Sequence, residues 1–341
     1  MKMLDRKLAR DLWRMRSQVI TIALVVASGV GGFIASLSTY DSLHALQLSY
    51  YEQARFADVF ARAKRAPLDV ARPLLAIPGV AAAETTVSFD VLLDVPDVVE
   101  PVTGRIIALP DGGNPQVNRL TLMAGRWIAL PGSNEVLVNE AFARARSLGP
   151  GNRIAALLNG KRETLEIVGV VMSPEYIFGG RGVLADEKTF GVFWMGRQRL
   201  AAAYNMEGAF NELAVRLAHG ASEAAVIEAL DRVLEPYGST GAHGRDEQFS
   251  HRALTKEINE QRVFCVVLPS IFLGVAVFLL NVVLTRQIGT QRSQIAALKA
   301  LGYPDARIGA HYLKFVLVIV AIGIAIGLAT GAWLGRYMTH M

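Results

Sequence analysis

The sequence predicts an α-helical integral membrane protein with three spans and a large mixed α/β domain inserted between spans one and two. Three apolar runs, 19–37, 263–284 and 315–334, contain no Asp, Glu, Lys, Arg or His. As helices at about 1.5 Å per residue, they are long enough to cross the hydrocarbon core of a bilayer. Segment 38–262 is polar and long enough to bury a core of its own, whereas 285–314 is a short connector.

Charge predicts which side of the membrane each segment faces. Residues 1–18 carry six basic and two acidic side chains, and the connector carries five basic and one acidic. Short basic flanks stay in the cytoplasm. We therefore expect a multi-pass protein of the cell (inner) membrane, with 1–18 and 285–314 in the cytoplasm and with 38–262 and the end 335–341 on the extracytoplasmic side. The net charge of +5 then reflects topology, and binding to nucleic acid is not expected.

The first apolar run is compatible with an uncleaved anchor or with a cleaved signal peptide. Its length exceeds the roughly 7–15 residues of a signal core. Because Ala35–Ser38 is also a poor cleavage site, we expect an uncleaved anchor. The one cysteine, Cys265, lies in the second run, so the exported domain has no internal disulfide.

Hydrophobic patterns predict both helices and strands in the exported domain. The first span is expected to continue as a helix past Tyr51. The other predicted elements are helices at 67–76, 139–148, after the capping residue Ser222 and at 245–262, and strands at 86–93, 135–138, 153–158, 162–171 and 212–217. Asn159-Gly160 tolerates the positive φ angles of a tight hairpin. Phe190–Met195 is expected in the core.

Four segments of the chain resemble parts of a known family. Residues 77–80 (IPGV), 135–140 (EVLVNE) and 167–171 (IVGVV) are similar to segments of the extracytoplasmic domain of FtsX/MacB-type ABC transporter permeases. Residues 294–302 (QIAALKALG) resemble the family's Glu-Ile-Gly-x-Leu-(Lys/Arg)-Ala-Leu-Gly connector. The resemblance covers nearly the whole chain, and it favours the N-terminal half of a large two-repeat FtsX-like permease.

The chain departs from the family pattern in two respects. Gln294 and Ala296 stand where the family usually has Glu and Gly, which weakens any role for that carboxylate. The minimal permease of the family has a fourth span. We therefore expect either a fragment of a longer permease or a chain that another polypeptide completes.

The connector is predicted to contain a short amphipathic helix, Gln294–Gly302. Ile295, Leu298 and Leu301 share one side, and Gly302 is a natural C-cap. The resemblance implies that this helix docks on an ABC ATPase, with the coupling residues Gln294, Ile295, Leu298, Lys299, Leu301 and Gly302. An interfacial helix in the lipid headgroups is the alternative, and the two roles are compatible.

The N-terminal segment carries an apolar stripe of Leu4, Leu8, Leu12 and Met15 among basic residues. This pattern favours a helix on the membrane surface, and a further contact with the ATPase is the alternative.

Three glycines in the third span, Gly323, Gly327 and Gly331, recur every four residues. Small residues at this spacing let another helix approach closely. The partner helix could belong to the same chain or to a second permease copy, and both alternatives stay open.

No catalytic or metal-binding motif is recognisable. The phosphate loop Gly-x-x-x-x-Gly-Lys-Ser/Thr is missing, and the six histidines lack the spacing of metal ligands. We therefore expect a protein that is not an enzyme and holds no cofactor, with ATP bound by a partner. Glu175, Tyr176 and Phe178 lie in a Gly-rich segment that is either a plain connection or a loop that binds a partner or substrate.

These observations together predict the permease subunit of an ABC transporter. It would use ATP hydrolysis in a separate ATPase to move an exported domain that acts on a lipid, lipoprotein, peptide or drug. The expected partners are an ABC ATPase subunit, a second permease copy or half, membrane lipid and a periplasmic adaptor protein. A non-transport membrane-anchored sensor or scaffold is the alternative function.

Overall fold

The computed structural model describes residues 3–95, 102–111, 113–130, 132–178, 180–181 and 184–339. Its helices are α1 Met3–Arg14, α2 Arg16–Gln53, α3 Ala71–Leu75, α4 Glu140–Ala145, α5 Arg197–Tyr204, α6 Glu223–Leu234, α7 Phe249–Thr290, α8 Arg292–Ala300 and α9 Asp305–Thr339. Its strands are β1 Val59–Pro67, β2 Val80–Thr86, β3 Ser88–Asp94, β4 Val102–Leu109, β5 Thr121–Gly125, β6 Glu135–Asn139, β7 Arg153–Leu158, β8 Lys161–Met172, β9 Gly180–Arg181, β10 Leu184–Ala185, β11 Phe190–Gly196, β12 Ala209–Leu217 and β13 His243–Gly244. The chain forms two units, of which one runs to Leu46 and resumes at Glu257, and the other is Gln47–Lys256.

The three predicted spans lie in three long helices, α2, α7 and α9, which are long and apolar enough to cross a membrane. They contribute to one apolar cluster, whose buried members include Ile22, Val26, Ala276, Phe315 and Ile319. Helix α2 has 38 residues and α7 has 42, so both continue well beyond their apolar runs. The expectation that the first span extends as a helix past Tyr51 is confirmed.

The N-terminal stripe packs against the long helices. Leu8, Leu12 and Met15 are half-buried and pack against the cluster formed by α2, α7 and α9. The side chain of Leu4 lies outside the described residues. The Trp13 side chain of α1, in contrast, is 74% exposed. This packing removes part of the apolar stripe from solvent.

A seven-stranded sheet forms the larger part of the exported domain, in the order β5-β8-β6-β11-β4-β3-β7. The long strand β8 pairs with β7 through Lys161–Glu166 and with β6 through Glu166–Val171, so the sheet closes on itself. Strand β11 lies between β4 and β6, and all seven of its residues are buried, as expected for Phe190–Met195. The predicted hairpin is confirmed, with Asn159 at φ 45° and Gly160 at φ 82°.

A second, four-stranded sheet has the order β13-β1-β12-β2. Helix α6 packs on it with Val226, Leu230 and Leu234 buried. The Ser222 hydroxyl accepts a hydrogen bond from the backbone N–H of Ala225, so the predicted cap is confirmed.

The predicted strand 86–93 is divided at Val87. Strand β2 ends at Thr86 in the four-stranded sheet, and β3 begins at Ser88 in the seven-stranded sheet. The side chain of Asn211 holds this crossing, because it accepts from the Ser88 N–H and donates to the Ser88 carbonyl, each at 2.8 Å.

Three predicted helices have different bounds in the structure. For the one predicted at 67–76, Pro67 ends β1, Leu68–Val70 form a 3-10 turn and the α-helix is Ala71–Leu75. Asn139 belongs to β6, where its Oδ1 accepts from the backbone N–H of Val192, so the helix predicted at 139–148 is confined to Glu140–Ala145. The helix predicted at 245–262 begins at Phe249. Before it, Arg245–Glu247 form a 3-10 turn and Gln248 is extended.

Candidate functional site

The connector helix is α8, Arg292–Ala300, with a Schellman motif at its end. Gly302 has φ 84°, its N–H donates to the Lys299 carbonyl, and the Tyr303 N–H donates to the Leu298 carbonyl. Ile295 and Leu298 are half-buried, whereas Leu301 is 77% exposed. The predicted apolar side is therefore divided, with its C-terminal residue open to solvent.

Polar contacts hold the two ends of the connector helix. At its start, the Gln291 Oε1 accepts from Lys7 Nζ at 2.9 Å and from the Tyr312 hydroxyl at 3.0 Å. At its end, Lys299 Nζ lies 2.6 Å from Asp305 Oδ1. Gln294 is exposed on the helix surface. These contacts attach α8 to α1 and α9 while leaving most of its surface free.

The three glycines of the third span lie against α2 of the same chain. A Cβ on Gly323 would lie 2.7 Å from Val26 Cβ, and one on Gly327 would lie 2.8 Å from Val30 Cβ. At Gly331 a Cβ would lie 2.8 Å from the Gly31 carbonyl oxygen. Real Cβ atoms do not approach other atoms so closely, so any side chain here would push the two helices apart.

The exported domain contains what we call the stalk junction, formed by Tyr51, Phe56, Asp58, Arg245 and His251. The Arg245 guanidinium donates to the carbonyls of Ala57 (2.8 Å) and Phe56 (2.9 Å) and pairs with Asp58 Oδ1 at 2.5 Å. It also lies over the ring of Phe56, 4.9 Å from the centroid. The Tyr51 hydroxyl lies 3.1 Å from His251 Nδ1. These contacts join the last turn of α2 to the first turn of α7.

The loop that contains Glu175 is attached to the same region. The Glu175 carbonyl accepts from Gln248 Nε2 at 2.7 Å, and the Phe178 N–H donates to the Ser250 hydroxyl at 3.2 Å. Asn118 donates to Glu175 Oε2 and accepts from the Ala57 N–H, each at 2.8 Å. The predicted candidate loop is thus a linked part of the domain at the stalk junction.

The Glu175 carboxyl has an altered acidity. Burial, together with the negative charge of Glu212, raises its pKa to about 7, although the Tyr176 hydroxyl, Arg105 and Arg62 act in the opposite direction. Burial also raises the pKa of Glu84, which accepts from the Gln116 N–H at 2.8 Å. A carboxyl that titrates near neutral pH in a partly enclosed site is typical of functional positions.

Sequence reasoning missed Arg245, Asp58 and Asn118. Asp58 and Arg245 are far apart in the chain, and neither belongs to a motif. Asn118 has φ 56°, a backbone conformation that Asn tolerates, but the surrounding sequence does not indicate it. Among the described residues, no group of three or more His, Cys, Asp or Glu side chains is arranged to hold a metal ion.

The fold and these sites define a class of protein, an integral membrane protein whose membrane helices carry an inserted extracytoplasmic-type α/β domain. A family model for the MacB-like periplasmic core domain matches residues 19–233, and one for the FtsX-like permease C-terminal domain matches residues 266–341. The chain belongs to the FtsX/MacB-like family of ABC transporter permeases. A permease of this kind is a transport subunit and is not itself an enzyme.

Two solved structures show what the chain is similar to. One is the extracellular domain of the noncanonic ABC-type transporter YknZ from Gram-positive bacteria, at 11% identity and a TM-score of 0.35, covering 55% of this chain and 98% of that one. The other is the periplasmic region of MacB from Actinobacillus actinomycetemcomitans, at 10% identity and a TM-score of 0.36, covering 62% and 97%. No curated protein sequence matches the chain.

Proposed function

We propose that the chain couples ATP hydrolysis in a separate ABC ATPase to movement of its exported domain, which acts on a cargo or partner outside the cytoplasm. The cargo classes compatible with this role are lipid, lipoprotein, peptide and drug. ATP is bound by the ATPase, and this chain needs no cofactor of its own. A second permease copy or half, membrane lipid and a periplasmic adaptor protein are the other proposed partners.

The observation that carries the proposal is the connector helix. Helix α8 lies between α7 and α9, is tied to α1 and α9 by polar contacts, and exposes 77% of Leu301 at its end. The charge of its flanks favours a cytoplasmic position for this basic helix, where it would offer a docking surface to a cytoplasmic protein. A force applied to it would reach both neighbouring spans.

Continuous helices give that force a path to the exported domain. Helix α2 is about 57 Å long and α7 about 63 Å, roughly twice the thickness of the hydrocarbon core. Both helices have their distal ends in the stalk junction. Movement of the spans would therefore reach the exported domain through these two helices.

Co-purification and ATPase measurements test this proposal. Tagged chain from native membranes should recover an ABC ATPase, recognised by its phosphate-loop sequence, and should change its ATP hydrolysis after reconstitution in nanodiscs. Leu301→Arg should reduce both effects at least tenfold, because it places a charge on the exposed docking residue. Leu75→Arg, at a residue 50% exposed in the exported domain, is the matched control.

Either of two results would contradict the proposal. In the first, no ATPase co-purifies. In the second, Leu301→Arg behaves like its control. Both would favour the alternative of a membrane-anchored sensor or scaffold, which requires no ATP hydrolysis.

A further inference from the structure

The exported domain contains a cavity of about 490 Å³ that the coupling function does not use. One wall comes from β1 and β12 of the four-stranded sheet, and the opposite wall comes from β4 and β11 of the seven-stranded sheet. The loop that bears Glu175 closes one side. A volume of this size lies in the range of small-molecule sites.

Aromatic side chains form much of the cavity lining. They are Phe60, Tyr176, Phe178, Phe190, Trp194 and Phe249. The rings of Tyr176 and Trp194 meet edge to face, with centroids 6.1 Å apart. Lining of this kind favours a ligand with an aromatic or other flat apolar body, which gains by leaving water.

The charged groups of the lining favour a positively charged ligand. Four carboxylates line the cavity, on Glu84, Glu175, Glu212 and Glu247, against two guanidinium groups, on Arg62 and Arg105. Both guanidinium groups already have acidic partners. Arg62 lies 2.7 Å from Glu212, and Arg105 lies 2.9 Å from Asp90. Above the raised pKa of Glu175, about 7, most of the remaining charge of the lining is therefore negative.

Glu175 is the carboxylate best placed to meet a ligand. Its side chain accepts a hydrogen bond from the Asn118 amide at 2.8 Å, and no described cation forms an ion pair with it. The neighbouring Tyr176 hydroxyl is buried beside the Glu175 carboxyl and the Arg105 guanidinium, without a well-formed hydrogen bond to either. Buried polar groups in native proteins are normally satisfied, so a hydroxyl without a well-formed hydrogen bond, next to a carboxylate without an ion pair, indicates an external partner.

We propose that this cavity binds a small amphiphilic molecule with an apolar, flat body and a protonated amine, whose ammonium group pairs with the Glu175 carboxylate. The body would lie between the aromatic walls, and the Tyr176 hydroxyl would supply a further hydrogen bond. The site belongs to the exported domain alone. It is independent of whether an ATPase drives the protein, so the test contains no ATPase.

Two probes that differ in charge test the inference on the full chain in nanodiscs. Naphthylethylamine carries the ammonium group, and naphthylethanol has the same apolar body without the charge. Affinities are measured by isothermal titration calorimetry, with empty nanodiscs subtracted. We expect the amine to bind about tenfold more tightly than the alcohol, because only the amine can pair with a carboxylate.

Variants separate the carboxylate from the apolar walls. Glu175→Gln should weaken the amine about tenfold and leave the alcohol unchanged, while Glu228→Gln, an exposed carboxylate on α6, should change neither. Ala214→Phe, at a residue of the lining, should weaken both probes by reducing the volume. This second variant keeps the test decisive if Glu175→Gln alters the fold.

Three outcomes would overturn the inference. They are equal affinities for the two probes, amine binding that is insensitive to Glu175→Gln in a folded protein, and binding of neither probe above empty nanodiscs. Binding that persists unchanged in Ala214→Phe would place the probes outside the cavity, and this too counts against the proposal.

Discussion

Charged and aromatic groups of the stalk junction find their partners within the chain, whereas the connector helix leaves its apolar end open. Arg245 contacts two carbonyls, the Asp58 carboxylate and the ring of Phe56. Helix α8 has no buried residue, and Leu301 is 77% exposed. The junction is therefore stabilised by the chain alone, while the connector retains a surface that only another molecule can cover.

This difference fits the two tasks of the proposed coupling function. A junction that receives motion from two helices must not bend, and satisfied polar groups at a partly buried site make bending costly. A connector that responds to an ATPase must bind it reversibly, so its docking residue has to be exposed before the partner arrives. Variants that weaken one region should leave the other intact.

Removing the Arg245 guanidinium should have the largest effect. Arg245→Met removes hydrogen bonds to the Ala57 and Phe56 carbonyls and leaves Asp58 without its cation. Because the Arg245 side chain is 27% exposed, water replaces part of the loss. We expect the junction to lose about 2–3 kcal/mol of local stability.

Hydrogen exchange measures this loss. Amides at 51–58 and 245–251 should exchange about 30- to 160-fold faster in Arg245→Met, which is the same free energy expressed as a rate. Arg252→Met, at an exposed position of α7, is the matched control and should change nothing. Unchanged protection in Arg245→Met would show that the junction does not depend on this guanidinium.

A pH dependence of the loop at Glu175 should be the next largest effect. The folded state raises the pKa of Glu175 from 4.5 to about 7, because burial and Glu212 disfavour its charge while Arg105 and Arg62 partly offset them. The folded protein thus binds the proton more tightly than the unfolded chain does. The resulting stability is present in acid and is lost as the pH rises from about 4.5 to 7.

Exchange of the amides at 173–178, corrected for the intrinsic pH dependence of exchange, tests the sign. We expect the free energy of local opening that this protection reports to fall by on the order of 1–3 kcal/mol between pH 4.5 and 7. Glu175→Gln should remove most of this slope, and Glu228→Gln should keep it. Protection that rises with pH in the wild type would contradict the assigned direction.

The comparison also shows which features the sequence could reveal. The spans, the Asn159-Gly160 hairpin, the Ser222 cap and the connector helix depend on neighbours in the chain, so local patterns predicted them. In the stalk junction, Asp58 pairs with Arg245, although most of the sequence of the exported domain lies between them. No local pattern marks such a pair. The predicted strand 86–93 takes in the last residue of β2 and most of β3, because the tertiary hydrogen bonds of Asn211 with Ser88 at their division have no local signal.

The smallest expected effect concerns the end of the connector helix. Gly302 has φ 84°, where an L side chain is strained, and no atom outside its immediate neighbours lies near its Cβ position. Gly302→Ala should therefore cost about 1 kcal/mol through backbone strain alone. The last turn of α8 should exchange about fivefold faster and the stimulation of the ATPase should fall by a similar factor, with the junction unchanged.

Gly289→Ala is the matched control, because Gly289 lies inside α7 and no atom would contact its Cβ. Alanine is the better helix former, so this control should be neutral or stabilising. The effect of Gly302→Asn on exchange in the last turn of α8 should lie between those of Gly302→Ala and the control, since Asn tolerates positive φ better than Ala. If Gly302→Ala slowed the ATPase without faster exchange in α8, the connector would act through direct contact at Gly302 and not through the shape of its C-cap.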